Sequence, residues 1–248
     1  MKMRKRIALL LLAVLALSLA LPAGEALAAA QTGPTPPVRP ANLPVVDVTS
    51  WEYTLANSYN SIGYEFELTP YVGFEGQSLK MEIIEITSNM LAAARSEGVP
   101  MYVSVAYRNW EYLLTYYENA IALYGSSSEA AKHFLPPGCN EHQTGLAIDV
   151  TSRPEHAMAY YEYDDDAEWE SPANQWMLEH GAEYGFIPRY PGGKELWYGT
   201  PCNHPHYRDV GVEVAKYLTE HDLCLEEFLY LSDPHSLFVP GLTTYATF

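Results

Sequence analysis

The sequence has little positive charge. Its 248 residues include 14 Lys and Arg against 31 Asp and Glu, which gives a formal net charge of −17 with the eight His neutral. Binding to a nucleic-acid backbone depends on clustered positive charge, and no basic stripe occurs beyond the first six residues. The composition therefore excludes nucleic acid as an expected partner and predicts an acidic protein.

Long apolar runs are absent except at the N-terminus. Residues 7–21 are apolar, follow the basic segment MKMRKR and precede small residues that end in ALAAA at position 30. A basic segment, an apolar segment and a small-residue cleavage site are typical of a secretory signal peptide. We predict that residues 1–30 are this signal, cleaved near Ala28 or Ala30. With no cysteine nearby to carry a lipid, we expect an exported protein without a membrane span after cleavage.

The remaining chain is long enough for one domain of ordinary size. Residues 31–44 contain five Pro and show no apolar periodicity. They are predicted to form a Pro-rich linker or an N-terminal arm that wraps the domain. The domain itself is predicted to span residues 45–248.

Hydrophobic periodicity predicts helices interleaved with short strands. Apolar residues recur at steps of three and four from Ser78 to Gly98, and again from the N-cap Asn109 to Tyr124. Between them, residues 101–107 alternate with the period of a half-buried strand. Further strands are predicted at 145–150, 186–190 and 206–208, and further helices at 171–185 and 210–221. This order predicts an α+β domain whose small, mostly antiparallel sheet is flanked by helices.

Two histidine-bearing stretches can carry chemistry. In the first, CNEHQTGLAIDV, His142 and Asp149 are seven residues apart with a glycine between them. The second, CNHPHYRDVG, offers His204 and His206. Two His and one Asp, with a fourth position left to water, are a ligand set for catalytic zinc. On spacing alone, ordinary polar or core residues are the commoner interpretation.

Both stretches resemble motifs of the D-alanyl-D-alanine carboxypeptidase family of zinc peptidases, which includes carboxypeptidases of vancomycin resistance and has a hedgehog-like peptidase fold. The pattern S-x-H-x-x-G-x-A-x-D is matched at His142, Gly145, Ala147 and Asp149. Downstream, residues 189–194 match R-Y-P-x-x-K, and residues 206–211 match the segment that contains the last His ligand. The similarity extends roughly from Leu55 to Phe228 and implies the family's single-domain fold.

The resemblance implies that Zn²⁺ is bound by His142, Asp149 and His206. It also implies a proteolytic hydrolase, namely a carboxypeptidase that acts on D-Ala-D-Ala-type termini of cell-wall (peptidoglycan) peptides. Such a protein would be secreted or associated with the cell wall. Zinc would activate a water as the nucleophile. Arg108, in AYRNW, resembles the family's substrate-binding Arg. A guanidinium there can bind a carboxylate or stabilise developing negative charge.

The sequence departs from the family's pattern at the catalytic Glu, which should lie three residues before the last His ligand. Asn203 occupies this position, and an amide has no protonation change near neutral pH. His204 is the first candidate for a replacement base because imidazole titrates in the right range. On a strand, however, its side chain would point away from that of Asn203. Glu195 and Asp209 are weaker candidates, each expected to be a surface carboxylate.

Other departures fall at positions that touch substrate in the family. Asn140 replaces a Ser, Pro205 replaces a Trp, and Leu113 replaces a Gln. The metal ligands are thus retained while the substrate pocket is altered. Two hypotheses stay open: an active zinc carboxypeptidase of D,D or L,D specificity, and a catalytically silent relative that binds cell-wall peptides.

The three cysteines of the chain permit one disulfide and leave one thiol over. Cys139 lies three residues before His142, and Cys202 lies four residues before His206, so a shared zinc would bring the two sulfurs close together. We predict a Cys139–Cys202 disulfide, with the Cys202–Cys224 pairing or free thiols as open alternatives. A thiolate ligand to the zinc is less expected in an oxidising compartment.

Overall fold

A computed structural model describes the protein at residues 33–64, 66, 71–156, 169–200 and 205–243. Contacts group the chain from Gly33 onward into one unit, which is the unit described below. The predicted signal peptide lies outside the described residues, as do Cys202, Asn203 and His204.

The described elements alternate between helices and short strands. The strands are β1 (Tyr71–Phe74), β2 (Gln77–Lys80), β3 (Tyr102–Val105), β4 (Ala147–Thr151), β5 (Phe186–Pro188) and β6 (His206–Asp209). The helices are α1 (Met81–Ser96), α2 (Trp110–Tyr124), α3 (Ser127–Ala130), α4 (Pro172–His180), α5 (Glu195–Tyr198), α6 (Val212–Glu220) and α7 (Leu225–Ser232). None of these helices is both long enough and apolar enough to cross a lipid bilayer.

Four strands form an antiparallel sheet in the order β3-β4-β6-β5, and β1 and β2 form a separate hairpin. In the sheet, Asp149 of β4 is directly opposite His206 of β6. Directly opposed residues on antiparallel strands have their side chains on the same face, so this register brings the two side chains together. The predicted α+β class with a small antiparallel sheet is confirmed.

The two faces of the sheet have different environments. Tyr207 lies in a core cluster with α1, α4 and the inward residues of β3 and β4, among them Ile148. Side chains alternate along a strand, so His206 and Arg208 point to the other face. A second core cluster contains α6, α7 and the buried aromatic residues Tyr198 and Phe228.

Helix α2 has the bounds that its sequence predicts. The side chain of Asn109 accepts a hydrogen bond from the Tyr112 N–H at 2.9 Å, as an N-cap does. Gly125 ends the helix with φ +82°, a left-handed conformation that favours glycine. Helix α1 instead starts three residues later than predicted, because residues 77–80 pair with β1 as a strand.

The C-terminal half also differs from the prediction in places. Helix α4 ends at His180, and the chain continues to Gly185 as a 3-10 turn over Gly181–Tyr184. Helix α7 was not predicted, although a capping box between Cys224 and Glu227 opens it. Its Leu225, Phe228 and Leu229 are buried and recur at helical spacing, a short period that the prediction did not include.

The described part of the Pro-rich segment contacts the C-terminal helices. Tyr217 of α6 donates its hydroxyl proton to the carbonyl of Ala41 at 3.2 Å. Pro34 is buried, and Leu43 packs against the second core cluster. These contacts are of the kind expected for a wrapping arm, and the boundaries at residues 30 and 44 stay predictions.

Candidate metal centre

Three elements bring His142, Asp149 and His206 together. His142 lies in a 3-10 turn over Glu141–Thr144, immediately before β4. Asp149 and His206 lie opposite each other on β4 and β6. The potential ligand atoms of the three side chains are all within 4.8 Å of one another. The structure therefore juxtaposes the three residues that the sequence nominated as metal ligands.

The spacing of these atoms suits a small cation. The carboxylate of Asp149 is 2.7 Å from Nδ1 of His206 and 3.3 Å from Nε2 of His142. The two imidazole rings are perpendicular, with centroids 4.7 Å apart. Ligand atoms about 2.0–2.2 Å from a tetrahedral zinc lie roughly 3.3 Å from one another, so the donor set fits zinc. Both rings are buried, whereas the Asp149 side chain is 21% exposed and gives access from solvent.

The local backbone fixes the position of His142. The side chain of Asn140 accepts a hydrogen bond from the His142 N–H at 3.0 Å and so caps the turn. Gly145 leaves the turn with φ +71°. The carbonyl of His142 accepts the N–H of Arg108 at 3.1 Å, which ties the end of β3 to the metal centre. Asn140 thus has a structural role, and its predicted contact with substrate stays a prediction.

Charges around the three side chains set their protonation. Burial lowers the pKa of His142, which favours the neutral, ligand-competent ring. For His206, burial opposes the cation, but Asp149 and Glu141 outweigh it and raise the pKa to about 9. Burial likewise opposes the Asp149 carboxylate, yet the two histidines hold the pKa of that carboxyl well below its usual range. These shifts favour an ionised Asp149 beside a protonated His206.

A buried ionic network that the sequence reasoning missed lies behind His206. Glu141 accepts hydrogen bonds from Arg189 and Arg208, and Arg189 also pairs with Glu226. The side chains of all four residues are fully buried. The available signal was an acidic residue next to a nominated ligand, together with two arginines inside the family's own motifs.

Arg108 lies beside the metal centre, as the resemblance implies. Its guanidinium carbon is 5.2 Å from the ring centroid of Tyr112 and 5.5 Å from that of Tyr116, both on α2. Its positive charge contributes to the lowered pKa of His142. Leu113, where the family has a Gln, is buried and 1% exposed.

Asp209, predicted to be a surface carboxylate, is instead 7% exposed. Alternation along β6 places it on the face opposite His206, which removes it from the candidate bases. Glu195 is half-buried and accepts the Gly193 N–H at 3.0 Å. Cys139 and Cys224 are free thiols in the structure, but Cys202 lies outside the described residues, so the disulfide stays a prediction.

Comparison with known proteins decides the family. The sequence model of VanY, D-alanyl-D-alanine carboxypeptidase, matches residues 76–212, more than half of the chain and the part that contains all three nominated ligands. The chain belongs to this family. The predicted family and peptidase class are therefore confirmed.

Curated VanY-family relatives include the D-alanyl-D-alanine carboxypeptidase of Enterococcus faecalis (strain ATCC 700802 / V583). It is 29% identical over 191 residues, which cover 74% of this chain and 67% of that protein. The carboxypeptidase-type protein YodJ of Bacillus subtilis (strain 168) is 31% identical over 60% of this chain and 53% of its own length. The chain thus spans two thirds of the first relative and about half of the second.

Solved structures of VanY-type enzymes have the same fold. A variant of the vancomycin-resistance D,D-pentapeptidase VanY in complex with Zn(II) has a TM-score of 0.61 and 28% identity, over 73% of this chain and 99% of that one. VanYB in complex with D-alanine-D-alanine has a TM-score of 0.60 and 29% identity, over 73% and 98%. The LD-carboxypeptidase LdcB has a TM-score of 0.62 and 26% identity, over 77% and 91%.

Proposed function

We propose that this protein is a zinc-dependent carboxypeptidase that removes the C-terminal residue from cell-wall peptides ending in D-Ala-D-Ala. The observation that carries the proposal is the convergence of His142, Asp149 and His206, whose ligand atoms are within 4.8 Å of one another. Two relatives of similar fold support it, because one is a Zn(II) complex and another contains D-alanine-D-alanine.

In this proposal the chain holds the metal through Nε2 of His142, the Asp149 carboxylate and Nδ1 of His206. When bound, zinc supplies Lewis-acid chemistry, which polarises a peptide carbonyl and makes water a stronger nucleophile at neutral pH. The fit of the donor set supports zinc, since imidazole and carboxylate at these separations match its preferred ligands.

Arg108 is the proposed anchor for the substrate. A guanidinium pairs with a carboxylate through two parallel hydrogen bonds, and a carboxypeptidase must recognise the free C-terminus of its peptide. Arg108 is next to His142 along the backbone hydrogen bond, and the rings of Tyr112 and Tyr116 hold its guanidinium in place. The C-terminal carboxylate would therefore be bound beside the metal-binding residues.

The group that accepts the proton from water cannot be the family's usual Glu, because Asn203 occupies that position. Glu141 is held by two arginines, and their positive charge outweighs burial and lowers the pKa of its carboxyl. It therefore remains an ionised structural carboxylate. Asp209 points away from the centre. We therefore propose His204 as the replacement base for the family's Glu, on the basis of its imidazole side chain and its place next to Asn203 in the sequence.

A second candidate function is peptide binding without turnover. Asn203 favours it, because an amide can orient water but cannot accept the proton. Replacement of Asn203 by Glu separates the two functions. A gain of activity from an inactive parent would support the silent relative. Unchanged activity in both proteins would mean that position 203 does not limit turnover.

The test of the main proposal is release of free D-alanine from a peptide ending in D-Ala-D-Ala. The zinc-loaded protein should release D-alanine, and His142→Ala or removal of the metal with a chelator should abolish the release. A folded, zinc-loaded protein that releases nothing would contradict the proposed activity. A parallel peptide with an L-D terminus would distinguish D,D from L,D specificity.

A further inference from the structure

His206 has two ring nitrogens in different environments. Nδ1 faces the metal centre, 2.7 Å from the Asp149 carboxylate. Nε2 is buried on the other side of the ring and has no hydrogen-bond partner among the described residues. The nearest charged atom to it is Oε2 of Glu141, at 3.7 Å, which is also buried and without a hydrogen bond in the described part of the chain.

These two atoms are complementary whenever the ring carries hydrogen on Nε2. A carboxylate oxygen only accepts, so it suits a ring that carries hydrogen on Nε2. A neutral imidazole with hydrogen on Nε2 has its lone pair on Nδ1, the atom that faces Asp149. Of the two ring states that satisfy Glu141, the cation and this neutral tautomer, the neutral one leaves Nδ1 able to be a metal ligand.

The other oxygen of Glu141 is firmly held. Oε1 accepts from Nε of Arg189 and from Nη1 of Arg208, each at 2.6 Å. Arg189 is fixed in turn by the two oxygens of Glu226, at 3.0 and 2.5 Å. Two arginines and two glutamates compensate one another, as a network of buried charges must. This network leaves Oε2 of Glu141 directed at His206.

We infer that Glu141 is a positioning residue for the metal centre: it fixes the orientation and protonated nitrogen of His206 so that Nδ1 faces the metal. The inference rests on the proposed zinc site. Carboxylates behind a ligand histidine orient the ring and increase its basicity, and their loss typically lowers metal affinity about 10–100-fold.

If Glu141 only stabilised the fold, its loss would lower zinc affinity no more than the loss of Glu226 would. Glu226 is therefore the matched control. Each glutamate is fully buried and each contacts Arg189. Only Glu141 faces His206, whereas Glu226 bonds to Asn57 at 2.6 Å. Glu141→Gln and Glu226→Gln therefore remove the same charge from the same network, one beside the ligand and one away from it.

The experiment measures zinc affinity of the two variants and the unaltered protein by competition with a chromophoric chelator. We expect Glu141→Gln to lower the affinity about 10–100-fold, and Glu226→Gln to leave it close to that of the unaltered protein. Equal losses in both variants, or no loss in Glu141→Gln, would overturn the inference while leaving the zinc site intact. An unaltered protein that binds no zinc would overturn the proposed function and the inference together.

A second measurement needs no substitution and covers the case in which Glu141→Gln does not fold. NMR of the zinc-loaded protein with ¹⁵N-labelled histidine reports which ring nitrogen carries hydrogen. We expect a slowly exchanging proton on Nε2 of His206 and none on Nδ1. A proton on Nδ1, or an Nε2 proton that exchanges freely with solvent, would overturn the inference.

Discussion

At the scale of single residues, Asp149 connects the two histidines of the metal centre. Its carboxylate is within 3.3 Å of a nitrogen of each ring, and its charge helps to raise the pKa of His206 to about 9. His206 would have to lose this proton before its ring could hold a metal ion. Asp149 is thus the counter-ion to the protonated ring and the proposed ligand to the metal.

Asp149→Asn should abolish tight zinc binding, because an amide is a poor substitute for an anionic ligand. Asp47→Asn is the control, since Asp47 is exposed and only hydrogen-bonds Thr49. Zinc content after dialysis against a weak chelator checks this. Equal zinc content in both variants would show that Asp149 is not a ligand.

Asp209 predicts how stability depends on pH. Burial raises its pKa to about 7, outweighing the opposing effects of Arg208 and of the Gly211 N–H, and Glu52 adds to the rise. The folded state therefore prefers the neutral acid. This contribution to stability is fully present below the unfolded pKa, near 4, and is lost as pH rises toward 7.

Asp209→Asn should remove this pH dependence. Between about pH 4 and pH 8, the unaltered protein should lose up to about 4 kcal/mol more of its free energy of unfolding than the variant does. Urea unfolding at several pH values measures the difference. Parallel pH profiles for the two proteins would contradict the assignment to Asp209.

At the scale of elements, the N-cap Asn109 should stabilise helix α2, which begins directly after Arg108 and Asn109. Asn109→Ala removes the N-cap hydrogen bond to Tyr112 and should cost about 1 kcal/mol of unfolding free energy. Asn119→Ala is the control, because Asn119 is an exposed residue inside the same helix, where alanine is neutral or favourable. Chemical denaturation compares the two. A larger loss for Asn119→Ala would contradict the capping assignment.

Elements marked by local chemistry were predictable from the sequence. Helix α2 has its cap Asn109 and its stop Gly125, and both lie where expected. The hairpin of β1 and β2 was missed, because residues 77–80 continue the apolar period of α1 and only pairing with β1 makes them a strand. Helix α7 has only eight residues, too short a stretch for its apolar period to mark it clearly, and both glutamates of its first turn are buried.

The candidate site likewise has a part that the sequence predicted and a part that it did not. Its three nominated ligands came from a family motif, and sheet register explains why they meet. Glu141 was not predictable, because its role depends on Arg189 and Arg208, which lie 48 and 67 residues away in the chain. Residue type and motif can identify a histidine as a candidate ligand, but only the tertiary structure shows which carboxylate lies behind its ring.

At the scale of the whole molecule, the charge distribution suits an exported protein. The buried network of two glutamates and two arginines compensates itself, so the net charge of −17 comes from other residues. Together with the basic and apolar start of the chain, this acidic character supports the proposal that the protein acts outside the cytoplasm, either on the cell wall or as a secreted protein.

Export predicts a defined N-terminus. The protein recovered from outside the cell should begin after Ala28 or Ala30, because small residues at these positions suit signal cleavage. Intact-mass measurement of the secreted protein checks the cleavage site. A protein that stays in the cytoplasm with residues 1–30 attached would contradict the export proposal.

The measurement that tests the central claim most directly is X-ray absorption at the zinc edge of the metal-loaded protein. The account predicts one zinc per chain with only nitrogen and oxygen ligands at about 2.0–2.2 Å, two of them imidazoles. His206→Ala should lose this signal. A protein that binds no zinc, or a zinc with cysteine sulfur ligands at about 2.3 Å, would contradict it.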